Sequence, residues 1–285
     1  MNGIILLNKP KGITSRDVVN IAIKKLGTKK IGHTGTLDPV ATGVMVICIG
    51  RATKLVDMLT SDNKEYIAEV TLGIKTDTLD IMGKVLEKRN IKLSYDNLIT
   101  VLNSFKGKYA QEVPIYSAVK INGKKLYEYA RNNIDVALPK RMVNILNIEL
   151  LNFEDNKFTF KCLVSKGTYI RSLIKDICEK LDVIGTMSKL TRVRQGNFEL
   201  EECIEIDEIS KEKIIYIKNI LDIKKIEVDD TLKFKIVNGQ IIDNIYNEDK
   251  ILFIGNNEEL AIYKIYEKDI TKMKPYIMIY EKKER

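Results

Sequence analysis

The sequence is poor in the residues that hold metals or form disulfides. Its 285 residues include one histidine, His33, and four cysteines without a Cys-x-x-Cys pair. Each cysteine lies in an apolar or amphipathic segment, where a reduced thiol packs as a small hydrophobic group; they are Cys48, Cys162, Cys178 and Cys203. So few ligands predict that there is no metal site, and unpaired cysteines indicate a reducing, cytoplasmic compartment.

Low-complexity segments and long apolar runs are also missing. With 5 prolines, 16 glycines, 45% hydrophobic and 30% charged residues, the composition is that of a globular chain. The longest strongly apolar run, 44–49, is far shorter than the roughly 18 residues of a membrane span. Residues 1–7 have no basic segment ahead of a short apolar run, so we expect no export signal and no membrane segment.

What the chain does have is positive charge. Lysine and arginine number 47 against 39 acidic residues, a net charge of +8. This excess favours a polyanionic partner, although many lysine-rich proteins are simply soluble. Residues 114–141 combine basic and aromatic side chains in a pattern typical of phosphate and base contacts, or of a solvated basic hairpin; these are Lys120, Lys124, Lys125, Arg131, Lys140 and Arg141 with Tyr116, Tyr127 and Tyr129.

Hydrophobic periodicity predicts an α+β fold, with a mixed sheet and peripheral helices. The alternation of apolar residues predicts strands at 3–7, 44–49, 64–73 and 157–165. Helical spacing predicts helices at 15–26, 94–105 and 169–181. From about residue 226, short β-like runs at 232–237, 251–254, 261–266 and 276–280 predict a small β-rich second domain. Length alone also favours about two domains.

The densest motif is the glycine-rich stretch 32–43, which contains Asp38 followed by Pro39. Its three glycines permit unusual backbone conformations, and the proline restricts both its own φ and the conformation of Asp38. A carboxylate held in this way either caps a turn or takes part in chemistry. The stretch 27–34 resembles a phosphate-binding loop, but His33 replaces the required lysine. The four-residue match of 32–35 to a KH-domain loop is too short to carry weight.

Arg171 occupies an unexpected position, the first turn of the predicted helix 169–181. The helix dipole disfavours a cation there, by a few tenths of a kcal/mol when the side chain is exposed. Two interpretations follow. Arg171 is either a solvated surface residue, or it pairs with a buried carboxylate and holds it ionised.

The stretch 32–43 resembles, almost letter for letter, the catalytic motif of the bacterial TruB-type tRNA pseudouridine synthases. The resemblance extends over most of the chain, through Asn8-Lys9-Pro10-x-Gly12-x-Thr14-Ser15, Lys64-x-Tyr66-x-Ala68, Tyr116-Ser117-Ala118-Val119-Lys120, Ser165-Lys166-Gly167-Thr168-Tyr169-Ile170-Arg171 and Leu190-Thr191-Arg192. It implies isomerisation of uridine 55 in the T-loop of tRNA to pseudouridine.

The resemblance also implies roles for individual residues. Asp38 would be the catalytic aspartate, Arg171 its ion-pair partner and Tyr66 the aromatic that stacks on the flipped uracil. The substrate pocket would further contain His33, Tyr169 and Leu190. We also expect RNA-backbone contacts from Lys9, Lys64, Lys120, Lys124 and Lys125.

At the level of domains, the resemblance implies a pseudouridine-synthase fold with a mixed, largely antiparallel sheet in residues 1–225. It also implies an RNA-gripping insertion at about 114–142, and a PUA-like RNA-binding domain in residues 226–285. We expect a monomer that binds the T-arm of tRNA and needs no metal, redox or nucleotide cofactor. The sequence leaves open whether Asp38 attacks C1′ of the ribose or assists loss of the C2′ proton.

Two other functions compete with this interpretation. A non-catalytic RNA-binding or RNA-folding protein would account for the charge, the interleaved tyrosines and the PUA-like tail. A nucleotide-dependent enzyme is the more remote alternative, because the loop that resembles a phosphate-binding loop lacks its lysine.

Overall fold

The computed structural model of the protein describes residues 1–60 and 63–280. Its strands are β1 (Gly3–Lys9), β2 (Ile31–His33), β3 (Thr42–Ile49), β4 (Lys64–Leu72), β5 (Ile74–Thr76), β6 (Val85–Lys88), β7 (Gly107–Glu112), β8 (Lys120–Ile121), β9 (Lys124–Lys125), β10 (Lys140–Glu154), β11 (Lys157–Val164), β12 (Gly185–Gln195), β13 (Phe198–Glu199), β14 (Lys224–Glu227), β15 (Ile242–Asp243), β16 (Lys250–Gly255), β17 (Glu258–Tyr266) and β18 (Asp269–Met278). The α-helices are α1 (Ser15–Leu26), α2 (Val56–Thr60), α3 (Tyr95–Asn103), α4 (Leu126–Arg131), α5 (Ile170–Lys180) and α6 (Asp230–Val237).

The larger sheet is mixed and mostly antiparallel. Within the described residues its path runs β1-β3-β12-β4-β11-β10-β7, with β2 beside β3 and β13 beside β12. Strands β3 and β12 pair in parallel through Thr42–Thr191 and Gly43–Arg192, whereas the other pairs of this sheet are antiparallel. The predicted mixed, largely antiparallel sheet with peripheral helices is therefore confirmed.

The helix α1 begins and ends as its sequence predicts. The Thr14 hydroxyl accepts a hydrogen bond from Asp17 N–H, and the Asp17 carboxylate accepts one from Thr14 N–H, which forms a capping box. At the other end Gly27 adopts the left-handed conformation, with φ of 68°, that closes many helices. The buried face of α1 packs against β1 and β3 in a shared hydrophobic cluster.

The alternating strand β4 supplies the middle of the main core. Its residues Tyr66, Ala68, Val70 and Leu72 lie on one face and are all buried, as the period of two predicts. They pack with α3, α5 and the facing residues of β11 in one cluster. The same cluster includes Leu37, Val40 and Ala41 of the glycine-rich stretch, so the core itself anchors the loop that carries Asp38.

The C-terminal part of the chain forms a second sheet, in the order β14-β16-β17-β18-β15, accompanied by α6. The β-rich character predicted from residue 226 is confirmed. Strand β14 spans the predicted domain boundary between residues 225 and 226, and the division into two domains stays a prediction. Leu252, Ile262 and Ile277 of this sheet pack in one cluster with Ile4 and Val46 of the larger sheet.

The predicted strand at 232–237 is wrong, because these residues belong to helix α6. Asp229 provides the missed start signal, since its carboxylate accepts a hydrogen bond from Leu232 N–H as a helix N-cap does. Leu232 and Ile236, four residues apart, then pack against the hydrophobic cluster of the second sheet, where Ile236 is fully buried. In the part of the chain that the structure describes, no helix combines the length and hydropathy needed to cross a membrane.

Candidate active site

Asp38 lies in a loop that is tied to three other parts of the fold. This loop, residues 34–41, is called the Asp38 loop. Ser15 at the start of α1 makes two hydrogen bonds with Leu37, from its hydroxyl to the Leu37 carbonyl at 3.0 Å and from Leu37 N–H to its hydroxyl at 2.9 Å. Gly12 N–H donates to the Pro39 carbonyl at 2.8 Å, and the Gln195 amide donates to the Thr34 hydroxyl. Backbone position in this loop is therefore set by its neighbours.

Two buried cations complete the anchoring of the Asp38 loop. The Lys9 ammonium donates to the carbonyls of Ala41 at 2.8 Å and Pro10 at 2.9 Å. The Arg192 guanidinium donates to the carbonyls of Gly35 at 3.1 Å and Val44 at 2.6 Å. A Cβ at Gly43, whose φ is 103°, would collide with the Arg192 backbone, so this position requires glycine. Close approach of β3 and β12 thus depends on Gly43.

The Asp38 backbone forms a β-turn, but its side chain has a different partner. The Asp38 carbonyl accepts from Ala41 N–H at 3.0 Å, with Pro39 at the second position of the turn, where proline is favoured. Asp38 Oδ2 lies 2.8 Å from Nε of Arg171 and its Oδ1 accepts from Nη2 at 2.9 Å. The backbone of Asp38 thus belongs to a turn, but its carboxylate does not cap that turn and instead forms an ion pair with Arg171.

Arg171 is buried, so its interpretation as a solvated surface residue is wrong. The whole residue is 5% exposed. Beyond Asp38, its Nη1 donates to the Thr78 carbonyl and its Nη2 to the Tyr116 carbonyl, each at 3.0 Å. All three nitrogens of the guanidinium therefore have partners, and its planar fork holds both carboxylate oxygens of Asp38 in one orientation.

The electrostatics of Asp38 reflect two opposing influences. Burial raises the pKa of the Asp38 carboxyl above its ordinary value, and the nearby Asp80 raises it further, while the Arg171 guanidinium lowers it. The net shift is upward. Burial outweighs the ion pair because removal from water costs an ionised carboxylate more than the contact with Arg171 returns.

Asp38 and Arg171 lie in the wall of a cavity of about 430 Å³, within the roughly 300–1,000 Å³ typical of small-molecule sites. Three of the predicted substrate residues, Tyr66, Tyr169 and Leu190, share this wall. Among its described lining residues Asp38 is the one acid, beside the cations Lys64, Lys166, Arg171 and Arg192. A second cavity of about 670 Å³, at residues such as Tyr216 and Tyr280, shares none of this wall.

The remaining predicted residues are placed differently. His33 ends β2 next to the Asp38 loop and is not part of the cavity wall in the described chain; its Nδ1 accepts from Gly35 N–H at 3.3 Å. Burial lowers the pKa of His33, which favours the neutral ring. The prediction that Lys9 contacts the RNA backbone is wrong, because the residue is fully buried and its ammonium is held by carbonyls. Burial lowers the pKa of Lys9 to about 8.

Among the other predicted RNA-contacting lysines, Lys64 is nearly buried in the cavity wall and donates to the Thr60 carbonyl at 2.8 Å. Lys120, Lys124 and Lys125 lie on the small hairpin of β8 and β9, where the first two are exposed and Lys125 is half-buried. The adjoining Tyr116 and Tyr127 reach the cavity wall. The hairpin thus lies next to the mouth of the cavity.

Several groups around Asp38 have no recognisable signal in the sequence. The Thr78 and Tyr116 carbonyls are backbone atoms, whose use depends on the tertiary fold. Arg192 stands out in the sequence within Leu190-Thr191-Arg192. Its hydrogen bonds to the Gly35 and Val44 carbonyls, however, depend on the parallel pairing of β3 and β12. In residues 1–60 and 63–280 no group of three or more His, Cys, Asp or Glu side chains could hold a metal ion.

Comparisons with known proteins give a consistent result. The model of a family described as TruB family pseudouridylate synthase (N terminal domain) matches residues 24–170. The tRNA pseudouridine synthase B of Caldicellulosiruptor saccharolyticus is 43% identical over 271 residues, which cover 94% of this chain and 92% of that protein. The protein of the same name from Bacillus subtilis (strain 168) is 42% identical over 308 residues, covering 100% of both.

Solved structures extend the likeness to three dimensions. The crystal structure of a Cbf5-Nop10-Gar1 complex contains a chain with a TM-score of 0.67 at 27% identity, covering 98% of this chain and 84% of that one. A structure of an H/ACA RNP bound to a substrate RNA containing 2'-deoxyuridine gives a TM-score of 0.66 at 25% identity, with the same coverage. These alignments extend over both sheets.

Proposed function

Because the chain belongs to the TruB family of pseudouridylate synthases, we propose that it isomerises uridine 55 in the T-loop of tRNA to pseudouridine, with Asp38 as the catalytic residue. The pseudouridine-synthase fold is confirmed by the structural likeness, and membership of the family makes the chain an isomerase that acts on tRNA. The position of the uridine and the roles of individual residues are the proposal.

The observation that carries this proposal is the ion pair in the cavity. A single carboxylate, held on both oxygens by Arg171, lies in a wall that also contains four cationic and four tyrosine side chains. Such a wall suits a phosphate-bearing nucleotide, because its positive charges attract the phosphates. An anion in the middle of that wall has no use in phosphate binding, and this favours a chemical role for Asp38.

Tyr66 and Leu190 would hold the base. A uridine inside folded RNA must be swung out of its stack, at a cost of a few kcal/mol. Stacking on an aromatic ring such as Tyr66 recovers roughly 1–3 kcal/mol, and Leu190 adds an apolar surface on the same wall. Tyr169, at the start of α5, would close the pocket beside the ion pair.

The chemistry requires little beyond one carboxylate. The bond between N1 and C1′ breaks, the detached uracil turns, and C5 bonds to C1′ in place of N1. C5 then loses its proton and N1 gains one, so the product is an isomer of the substrate and no water is consumed. Asp38 would stabilise the electron-poor ribose in one of two ways. It either attacks C1′ and is later displaced by C5, or it takes the C2′ proton and returns it when C5 bonds to C1′. Glycosidases use two carboxylates because water enters their reaction, whereas here one suffices.

Binding of the rest of the tRNA would fall to the surfaces around the cavity. The insertion at about 114–142 would grip the T-arm through Lys120, Lys124 and Lys125, and residues 226–285 would act as a PUA-like RNA-binding domain. We expect the protein to work as a cytoplasmic monomer without metal, redox or nucleotide cofactor.

The test is to map pseudouridine in an unmodified tRNA transcript after incubation with the pure protein and no added cofactor. We expect one pseudouridine, at position 55, and none in a transcript that carries cytidine there. Modification at another uridine would overturn the assigned position. Absence of any modification, with the tRNA still bound, would favour the rival interpretation of a non-catalytic RNA-binding protein.

A further inference from the structure

A buried amide outside the cavity wall is bound to the segment that presents Arg171. Gln111, on β7, is 1% exposed. Its Oε1 accepts a hydrogen bond from Tyr169 N–H at 2.8 Å, and its Nε2 donates to the Tyr169 carbonyl at 3.1 Å. One side chain therefore holds both backbone groups of one residue, in the way that a neighbouring β-strand would.

Tyr169 is the residue from which α5 starts, and its own side chain makes no capping hydrogen bond. Arg171 follows two residues later, in the first turn of the helix. The orientation of this turn determines whether the guanidinium can reach both oxygens of Asp38, at 2.8 and 2.9 Å. Because hydrogen bonds weaken steeply with angle, a small rotation of the turn would break the two-point contact.

A second pair of contacts fixes the amide of Gln111 itself. Nε2 also donates to the Tyr109 hydroxyl at 2.6 Å, and that hydroxyl bonds the Asp176 carboxylate. Because the Tyr109 hydroxyl donates its hydrogen bond to Asp176, the hydroxyl oxygen accepts from Nε2 of Gln111. This arrangement selects one of the two amide orientations of Gln111. Burial raises the pKa of Asp176 to about 6, so it remains an acceptor at neutral pH. Asp176 lies on α5. The chain of contacts from Tyr169 through Gln111 and Tyr109 to Asp176 therefore begins at the N-cap of α5 and ends on the same helix.

We propose that Gln111 is a positioning residue for the reaction, which holds the first turn of α5 so that Arg171 grips Asp38 and Tyr169 faces the base. This inference rests on the proposed function. Gln111 pairs with Arg141 across β7 and β10, the strands that enter and leave the insertion at about 114–142. Gln111 is therefore linked to the base of the insertion through its backbone and to the start of α5 through its side chain.

The test uses the full chain with Gln111→Leu, Gln111→Glu and Tyr109→Phe, and measures kcat and KM for tRNA by pseudouridine formation. Gln111→Leu should lower kcat about tenfold or more with KM within about twofold, since the surfaces proposed to bind most of the tRNA are unchanged. Gln111→Glu keeps the acceptor for Tyr169 N–H and should recover part of that loss. Tyr109→Phe leaves both bonds to Tyr169 in place and should lower kcat by about two- to fivefold.

The matched control is Ser188→Ala, which removes a half-buried hydroxyl that donates to the Glu69 carboxylate at 2.8 Å between β12 and β4. It should lower the melting temperature without changing kcat. A wild-type kcat in folded Gln111→Leu, or a loss confined to KM, would overturn the inference. If Gln111→Leu does not fold, Tyr109→Phe decides, since a normal kcat there contradicts the positioning role. A wild-type protein that forms no pseudouridine would overturn the proposed function instead.

Discussion

The Asp38 loop and the insertion at about 114–142 are built in opposite ways. The Asp38 loop is anchored by two buried cations, by Ser15 and by three residues in the main core. The insertion contains two strands of two residues each and the short helix α4, in which Leu126 is the buried residue. Its basic residues lie at or near the surface.

This difference matches two different functions, catalysis in the Asp38 loop and RNA binding in the insertion. Catalysis needs reacting groups held within a fraction of an ångström, and buried polar contacts supply that precision. Binding a polyanion needs positive charge that can adapt to the shape of the RNA, which exposed lysines supply. We therefore expect changes in the anchored region to alter kcat, and changes in the insertion to alter KM and its salt dependence.

The largest effect in the anchored region, apart from Asp38 itself, should come from Arg171→Met. It removes both hydrogen bonds to Asp38 and leaves a desolvated carboxylate without its counter-ion. We expect kcat to fall about 10³-fold, as when a donor to developing charge is lost. Arg194→Met, on the same sheet but half-exposed, is the control and should keep nearly full activity. A tenfold or smaller loss in Arg171→Met would contradict the assigned role.

The pH profile should reveal the competition between burial and the ion pair. Because the net pKa shift of Asp38 is upward, activity should be complete above that pKa and lost as the pH falls, with a midpoint above the ordinary value of about 3.9. The ammonium of Arg171→Lys cannot hold both Asp38 oxygens as the guanidinium does, so it should lower the Asp38 pKa less. The acid limb of kcat/KM should therefore move to still higher pH. A limb that stays in place, or moves to lower pH, would show that Arg171 does not lower the Asp38 pKa.

In the insertion, the triple change of Lys120, Lys124 and Lys125 to alanine should act on binding alone. We expect KM for tRNA to rise about tenfold at moderate salt, with kcat within about twofold. The slope of log K against log salt should become shallower by roughly 0.7–0.9 for each phosphate that a lysine no longer neutralises. Alanine at the exposed Lys24, Lys211 and Lys213 removes the same charge elsewhere. If both triple variants behave alike, net charge and not the insertion governs binding.

The smallest of the expected effects concerns stability and comes from Lys9→Met, at the most buried of the predicted lysines. Its pKa is lowered to about 8 in the folded protein, so between about pH 8 and 10.5 the unfolded chain binds more protons at this residue. The wild type should therefore gain unfolding free energy across that window, relative to Lys9→Met. Denaturant unfolding at several pH values measures this, and a difference that does not change with pH would refute the shifted pKa.

Much of this arrangement could be predicted from the sequence, because local signals agreed with the fold. The helix α1 carries its own capping box and closing glycine, and β4 carries a period of two. The misplaced cation and the rigid acid each left two interpretations open, and the family resemblance joined them as the Asp38–Arg171 pair. Helix α6 was missed because its apolar run has no clear helical period, so the Asp229 cap is the main local signal for a helix.

Other features could not be predicted, because they depend on groups brought together from distant parts of the chain. Lys9 looks like any surface lysine until β1 places it beneath the Ala41 and Pro10 carbonyls. The upward pKa shift of Asp38 depends on how much water the folded core excludes, which no sequence pattern reports. Gln111 is likewise unremarkable until β7 brings it against Tyr169.

The most direct test of the account is tritium release from tRNA labelled at C5 of uridine, measured with Asp38→Asn beside the wild type. The substitution keeps the size of the side chain and its β-turn, and removes the charge. We expect tRNA binding within about twofold of the wild type and tritium release slower by about 10⁴-fold. Turnover at the wild-type rate by Asp38→Asn would contradict the claim that the anchored carboxylate performs the chemistry.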